Sequence, residues 1–263
     1  VKNIDQIQHK AVRMLLNELK IKQGLEIHYD GDLPARSGMG SSSCFVVGLL
    51  KVLLDLLKIK KNKKQLTDFA INFEHNILKE IVGSQDQTAT IYGGFNRINF
   101  KKNKIQVKKI KNNNSLNKLN KNLMLIYTGI QRNAPDVAKK YVNTLTIQNK
   151  KCINKLIRHV DEGEKIINNG NIDDFGSLLN EAWHYKKEIS NNISNPKIDD
   201  IYKEAKKNGA LGGKLLGAGG GGFMLFYIKD NKKKDFLKKN SKLLNIPFNF
   251  SDEGSEVIFN HTK

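Results

Sequence analysis

The spacing of apolar residues predicts a succession of helices and strands in the first half of the chain. Residues 7–19 form a first apolar element, and residues 25–29 alternate in hydropathy like a strand. Residues 45–57 are strongly apolar, and apolar positions recur three and four residues apart from 66 to 81, which predicts two helices, the second ending at Gly83. Strands are predicted at 92–100, 104–107 and 123–127.

The second half of the chain has a helical pattern followed by strands. Residues 135–207 are predicted to be helical, with breaks near Gly170 and at Asn195–Pro196. A strand at 223–228, a basic helix at 230–244 and a closing strand at 255–260 follow. A boundary near residues 128–135 predicts two domains, 1–130 and 131–263, an α/β half followed by an α+β half.

A loop with two glycines and three hydroxyls precedes the apolar helix at 45–57. It consists of Gly38, Met39, Gly40, Ser41, Ser42 and Ser43. Glycines permit tight backbone turns, and the first N–H groups of a helix attract an anion, so this loop is predicted to bind phosphate. It lacks the lysine and glycine spacing of a strict P-loop, which excludes a Walker nucleotide site. An ordinary serine N-cap is the alternative.

Two carboxylates follow on the next predicted helix. Asp86 stands between two glutamines at the end of that helix, where it is either a turn residue or a group that deprotonates a substrate hydroxyl. Glu74 lies twelve residues earlier and borders the apolar stripe, where it is either solvated or a ligand of Mg²⁺ together with a loop serine.

A second glycine cluster, 217–222, is too dense for a helix or strand interior. It follows Lys214-Leu215-Leu216 directly and runs straight into an apolar stretch. A flexible linker is one interpretation. The sequence favours a tight loop that approaches the first glycine loop or its ligand.

Composition narrows the class of protein. The 263 residues and 39% hydrophobic content are sufficient for a core, and Cys44 and Cys152 have neither disulfide nor zinc spacing, which predicts a reducing cytoplasm. No apolar run approaches the roughly 18 residues of a membrane span, so no membrane partner is expected. The 45 basic and 26 acidic residues give a net charge of +19. Because the lysines are scattered among asparagines, nucleic acid is the less favoured partner.

Three stretches resemble, in this order, the signature of the GHMP small-molecule kinases. They are residues 34–43 (PARSGMGSSS), 83–87 (GSQDQ) and 214–223 (KLLGAGGGGF). A wider pattern is similar to the D-glycero-D-manno-heptose 7-phosphate kinases: QDQ at 85–87, YGGFN at 92–96, YTGIQR at 127–132, AWH at 182–184 and ISNP at 193–196.

The resemblance implies an α+β fold in two domains, a ribosomal protein S5 domain 2-like N-terminal α/β half that binds ATP and a ferredoxin-like C-terminal half. It implies ATP- and Mg²⁺-dependent phosphorylation of the anomeric hydroxyl of a heptose 7-phosphate, with other sugar 1-kinases of fucose or galactose type as alternatives. A basic nucleic-acid-binding protein with a degenerate kinase fold is the alternative from a different class. A homodimer is compatible with the resemblance.

The resemblance also assigns roles to residues. Residues 38–43 bind the ATP phosphates, Ser42 and Glu74 hold Mg²⁺, and Asp86 acts on the sugar hydroxyl. Substrate contacts are expected from six residues: Thr128, Gly129, Arg132, Gly217, Gly219 and Gly220. Arg132 is assigned to the substrate phosphate because its guanidinium matches phosphate oxygens. Family members begin with a further strand that has no match before Val1, so a missing N-terminal segment is expected.

Overall fold

A computed structural model describes residues 1–33, 37–102, 104–131 and 150–260 of the chain. The chain forms two compact units. The first consists of the described residues of Val1–Ala35, Gly40–Gly94 and Ser251–Lys263, and the second of those of Arg36–Met39 and Phe95–Phe250. The predicted domains 1–130 and 131–263 divide the chain elsewhere and stay a prediction.

The described part of the first unit is helical. It contains α1 (Lys10–Glu18), α2 (Ser41–Leu56), α3 (Lys63–Asn72), a π-helical segment (Phe73–Ile77) and α4 (Gln85–Tyr92), after a short 3₁₀ turn at Ile4–Gln6. The apolar run of α2 forms the centre of the core, where Val47 and Leu50 are fully buried with Leu15 and Phe73. Burying each such side chain contributes about 1.5–3 kcal/mol.

The second unit combines strands and helices. Its strands are β1 (Asn96–Lys101), β2 (Lys104–Lys109), β3 (Leu123–Tyr127), β4 (Gly212–Leu215), β5 (Phe223–Tyr227) and β6 (Leu244–Ile246). Its α-helices are α5 (Asn113–Asn122), α6 (Lys150–Asn169), α7 (Asp174–Ile189), α8 (Pro196–Lys207) and α9 (Lys233–Lys239), the last preceded by a 3₁₀ turn at Asp230–Lys232.

The strands form two antiparallel sheets. β1 and β2 pair as a hairpin in which Ile98 lies opposite Val107. The other sheet has the order β4-β5-β3-β6, with Leu125 of β3 opposite Leu225 of β5. β5 is buried on both faces, since Phe226 packs in one apolar cluster and Tyr227 in another. This burial explains why the sequence of β5 is continuously hydrophobic.

Most predicted elements are confirmed, with shifted ends. The helices predicted at 45–57 and 66–81 correspond to α2 and to α3 with its π-helical continuation. The predicted strands at 104–107, 123–127 and 223–228 correspond to β2, β3 and β5. The strand predicted from residue 92 begins only at Asn96, because Tyr92 ends α4 and Gly93 and Gly94 follow with positive φ angles of 62° and 75°.

Two predicted strands are wrong. Residues 25–29 and 255–260 alternate in hydropathy, but neither segment is a strand in the structure. A strand needs a neighbour for its backbone hydrogen bonds. Residues 25–29 make no such bond to any other described residue. Leu25, Ile27 and Tyr29 are accordingly exposed. At the other end, Ser255 makes one backbone bond, to Thr90 in a helix.

One further prediction needs correction, and one helix was not predicted. The basic helix predicted at 230–244 ends at Lys239, and Leu244, the last residue of the predicted range, lies in β6. No element was predicted at 113–122, where the structure has α5, which begins after an Asn112 side-chain cap and buries Leu119.

Candidate active site

The first glycine loop leads into α2 through left-handed glycines. Gly38 and Gly40 have φ angles of 82° and 72°, and Gly40 is the N-cap of α2. No side chain of the described residues caps this helix, and the three serines occupy its first three positions. The serines are therefore not the N-cap, which was the alternative. Since the first N–H groups of a helix have no acceptor within it, the turn presents donors and a positive dipole end to an anion.

Asp86 lies against this loop. It stands in the first turn of α4, so its predicted position at the end of the preceding helix is wrong. A β-carbon placed on Gly40 would lie only 3.0 Å from the Asp86 carboxyl carbon. Asp86 is exposed, while the next two residues of α4 are buried. The structure thus joins the loop and the carboxylate that the sequence singled out separately.

Glu74 is fully buried beside the start of α2. The Ser43 hydroxyl donates to Glu74 Oε2 at 3.0 Å, and the Gln87 amide donates to the same oxygen. Oε1 is buried and has no hydrogen-bond partner among the described residues. Burial, opposed by these two hydrogen bonds, raises the pKa of Glu74 from 4.5 to about 7.

The residues around Glu74 fit a hard cation. Mg²⁺ binds oxygen ligands and is usually held by one or two carboxylates together with water and substrate phosphates. Glu74 supplies a carboxylate oxygen that has no partner in the described part of the chain, next to a serine-bearing helix turn. Within the described ranges no group of three His, Cys, Asp or Glu residues could hold a metal ion. Ser42, the predicted ligand, is exposed, and Ser43 is the serine that contacts Glu74.

Cys44 connects the loop helix to α4. Its Sγ lies 3.1 Å from Thr90 Oγ1, and that hydroxyl donates to the Asp86 carbonyl at 2.8 Å. Burial, with a smaller contribution from Asp86 and Glu74, raises the pKa of the Cys44 thiol. No sequence pattern indicated this contact, because Cys44 and Thr90 are far apart in the chain.

The second glycine cluster is a folded loop of the second unit. Gly222 has a φ of 92°, and a β-carbon on it would lie 2.0 Å from the Ser37 carbonyl oxygen, at the start of the first glycine loop. Thr128 donates to the Gly222 carbonyl through its N–H (2.9 Å) and its Oγ1 (2.8 Å), and Gly222 N–H donates to Ile130 at 2.8 Å. These contacts exclude a flexible linker.

The other glycines of the cluster are also held in place. Gly220 N–H donates to the Ile193 carbonyl at 2.9 Å, and Gly219, with a φ of 112°, packs against Ile193. Lys186 Nζ donates to the Gly217 carbonyl at 2.6 Å.

The structure thus brings Thr128 and the glycine cluster together. Gly129 follows Thr128 with a φ of 71°. Arg132, together with Pro34 of the first signature stretch, lies outside the described residues.

Most of the chain matches known kinases. The models for the GHMP kinases N-terminal and C-terminal domains match residues 6–94 and 164–242. A D-glycero-alpha-D-manno-heptose 7-phosphate kinase of Campylobacter jejuni is 32% identical over 92% of this chain and 73% of its own. A mevalonate kinase of Methanocaldococcus jannaschii is 31% identical over 88% of this chain and 71% of its own.

Solved structures have the same fold. A D-glycero-D-manno-heptose 1-phosphate kinase from Bacteroides thetaiotaomicron superimposes with a TM-score of 0.73 at 22% identity, over 93% of this chain and 71% of its own.

The chain belongs to the GHMP kinases, so it is an ATP-dependent phosphotransferase with a hydroxyl acceptor. Its similarity to the Campylobacter enzyme assigns it to the sugar kinases of that family. The α+β, two-domain GHMP fold predicted from the sequence is confirmed. None of the helices in the described part of the chain is long and apolar enough to cross a membrane.

Proposed function

We propose that this protein phosphorylates the anomeric hydroxyl of D-glycero-D-manno-heptose 7-phosphate with ATP. The product is the 1,7-bisphosphate, an intermediate toward a nucleotide-activated heptose for surface polysaccharide. The proximity of Asp86 to Gly40 carries the proposal, because it combines a turn suited to phosphate with an exposed carboxylate. The 32% identity to a heptose 7-phosphate kinase supports the choice of sugar.

ATP is assigned to the turn formed by Gly38, Met39, Gly40, Ser41, Ser42 and Ser43. The helix N–H groups and the two left-handed glycines allow the backbone to approach the phosphate oxygens closely. The serine hydroxyls add further donors. The positive end of α2 then stabilises the charge that develops on the transferred phosphoryl group.

Asp86 is proposed as the catalytic base. The sugar oxygen forms a bond to the γ-phosphorus while the bond from that phosphorus to the ADP oxygen breaks, and the hydroxyl proton passes to the Asp86 carboxylate. Ser42 and Glu74 are proposed to hold Mg²⁺, which neutralises phosphate charge when bound.

A further set of residues is proposed to contact the acceptor. Gly217, Gly219 and Gly220, in the loop held by Ile193 and Lys186, and Thr128 with Gly129 are assigned to the sugar. Arg132 is assigned to its existing phosphate. ATP as the donor and two free thiols support a cytoplasmic location.

The Arg132 assignment predicts a selective effect. Arg132→Ala is expected to raise the KM for the phosphorylated sugar by about tenfold or more, because a charge-assisted contact to phosphate is lost. The affinity for ATP is expected to stay the same. Steady-state kinetics with each substrate varied in turn measure both, and an unchanged KM for the sugar phosphate contradicts the assignment.

The substrate is tested by following ADP release with ATP, Mg²⁺ and a panel of acceptors. The panel contains heptose 7-phosphate, unphosphorylated heptose, fucose, galactose and mevalonate. Selective turnover of heptose 7-phosphate supports the proposal, and turnover of another sugar keeps the mechanism but changes the pathway. No turnover with any acceptor, together with salt-sensitive binding of RNA or DNA, favours the basic nucleic-acid-binding alternative.

A further inference from the structure

Both hydrogen bonds to the buried carboxylate of Glu74 converge on one oxygen. Ser43, in the first turn of α2, and Gln87, in the first turn of α4, donate to Oε2. Oε1 is equally buried but receives no hydrogen bond from the described residues. A buried carboxylate oxygen without a donor is costly, so its persistence needs a reason.

The orientation of the Gln87 amide follows from the chemistry of its partner. Gln87 is fully buried, and its Nε2 faces Glu74. The opposite orientation would place the amide oxygen against an oxygen of the ionised carboxylate, the form that binds a cation, which leaves two acceptors without a proton between them. Gln87 is therefore a donor here, and a neutral one, which restrains Glu74 without neutralising its charge.

Three elements meet at this contact. Glu74 lies on the π-helical segment, where Leu78 N–H bonds five residues back to Phe73. π-helical turns displace side chains from the regular helical path and occur often at functional sites. Ser43 comes from the glycine-loop helix, and Gln87 directly follows Asp86 on α4. The contact therefore fixes Glu74 relative to both the loop and the base.

We infer that Gln87 is a positioning residue that, with Ser43, holds Oε2 so that Oε1 is the oxygen presented to the divalent cation. This inference rests on the proposed assignment of Glu74 as a Mg²⁺ ligand. Hydrogen bonds of this kind fix the orientation of a metal-binding carboxylate, and their loss lowers metal affinity by about ten- to a hundredfold.

Equilibrium binding separates this role from a merely structural one. The variant Gln87→Met keeps the length and volume of the side chain but removes the donor. Isothermal titration calorimetry measures the affinity for ADP with EDTA and for ADP with saturating Mn²⁺. We expect the Mn²⁺-dependent gain in affinity to fall by about tenfold or more, while ADP affinity in EDTA stays within about twofold. Gln87→Leu, which also lacks the donor, is expected to have the same effect if Gln87→Met does not fold.

Controls identify which assignment fails. Thr88→Val removes a buried hydroxyl from the same helix, one that donates to the Ser84 carbonyl, and should leave the Mn²⁺-dependent gain unchanged. If Glu74→Gln lowers that gain but Gln87→Met and Gln87→Leu do not, the positioning role is overturned and the proposed metal ligand stands. If Glu74→Gln itself has no effect, the metal assignment fails, and the inference fails with it. Equal loss with and without Mn²⁺ in Gln87→Met also overturns the positioning role.

Discussion

Glu74 is a buried ionisable group whose burial lowers stability and for which we propose metal binding. Its side chain is inaccessible to solvent, and burial raises its pKa from 4.5 to about 7. Between these two pH values the folded protein retains a proton that the unfolded chain has lost. Protonated Glu74 therefore makes its full stabilising contribution to the free energy of unfolding below pH 4.5. This contribution is lost as the pH rises through 7. A bound cation would compensate this cost.

Substituting Glu74 by glutamine tests that pH dependence. The amide cannot ionise, so the free energy of unfolding of Glu74→Gln minus that of the unmodified protein should increase from pH 5 to pH 8. Urea unfolding in EDTA at both pH values measures it, and subtracting the two proteins cancels the titration of all other groups. A difference that stays constant or decreases with pH contradicts a raised pKa.

Asp86 differs from Glu74 because it is exposed at the glycine loop. For Asp86→Asn, we expect kcat to fall by about 10²–10⁴-fold, since the amide cannot accept a proton. ATP affinity should change little, because the phosphate donors proposed here are backbone and hydroxyl groups of the loop. Steady-state kinetics and calorimetric titration of ATP measure the two effects, and an equal loss of both contradicts the role of base.

At the scale of the element, the second glycine loop depends on the absence of side chains. Gly222 has a φ of 92° and its missing β-carbon would overlap the Ser37 carbonyl. Gly222→Ala should therefore lower the free energy of unfolding by about 1–3 kcal/mol or more. Urea unfolding measures this change.

Gly48 is a matched control for that substitution. It lies inside α2 with no atom within 4 Å of its missing β-carbon. Gly48→Ala should stabilise the protein by about 0.5–1 kcal/mol, because alanine is the better helix former. A Gly222→Ala variant as stable as Gly48→Ala would contradict the close packing of the loop.

Sequence patterns predicted those elements whose hydropathy repeats within one segment. The apolar runs of α2, β3 and β5 gave these elements directly. Elements defined by partners distant in the chain were missed or falsely predicted. The strand β4 is half glycine, and it forms because β5 supplies its hydrogen bonds. Residues 25–29 have strand-like alternation but no described partner.

The candidate site was predictable to a similar degree. Composition and order indicated the loop, Asp86 and Glu74. The π-helical turn that buries Glu74 and the convergence of Ser43 and Gln87 on one oxygen depend on packing between helices, which no spacing in the sequence encodes.

At the scale of the whole molecule, positive charge far exceeds negative charge. The chain carries 45 basic and 26 acidic residues. Some acidic groups form ion pairs with more than one basic side chain, as Glu164 does with Arg97 and Lys108. Lysines without an acidic neighbour therefore repel one another across the surface. Such repulsion destabilises the compact state, although it also keeps the protein in solution.

Because salt screens this repulsion, added salt is predicted to stabilise the folded protein. We expect the Tm at pH 7 to rise by a few degrees when NaCl is raised from about 20 to about 300 mM, because the Debye length falls to below about 10 Å. Screening also weakens ion pairs such as those of Glu164, but the excess of like charges outweighs that loss at a net charge of +19. Differential scanning calorimetry measures the change, with sucrose of equal osmolality as the control for non-ionic effects. A Tm that falls over this range would mean that local ion pairs, and not the net charge, dominate the electrostatic free energy of the fold.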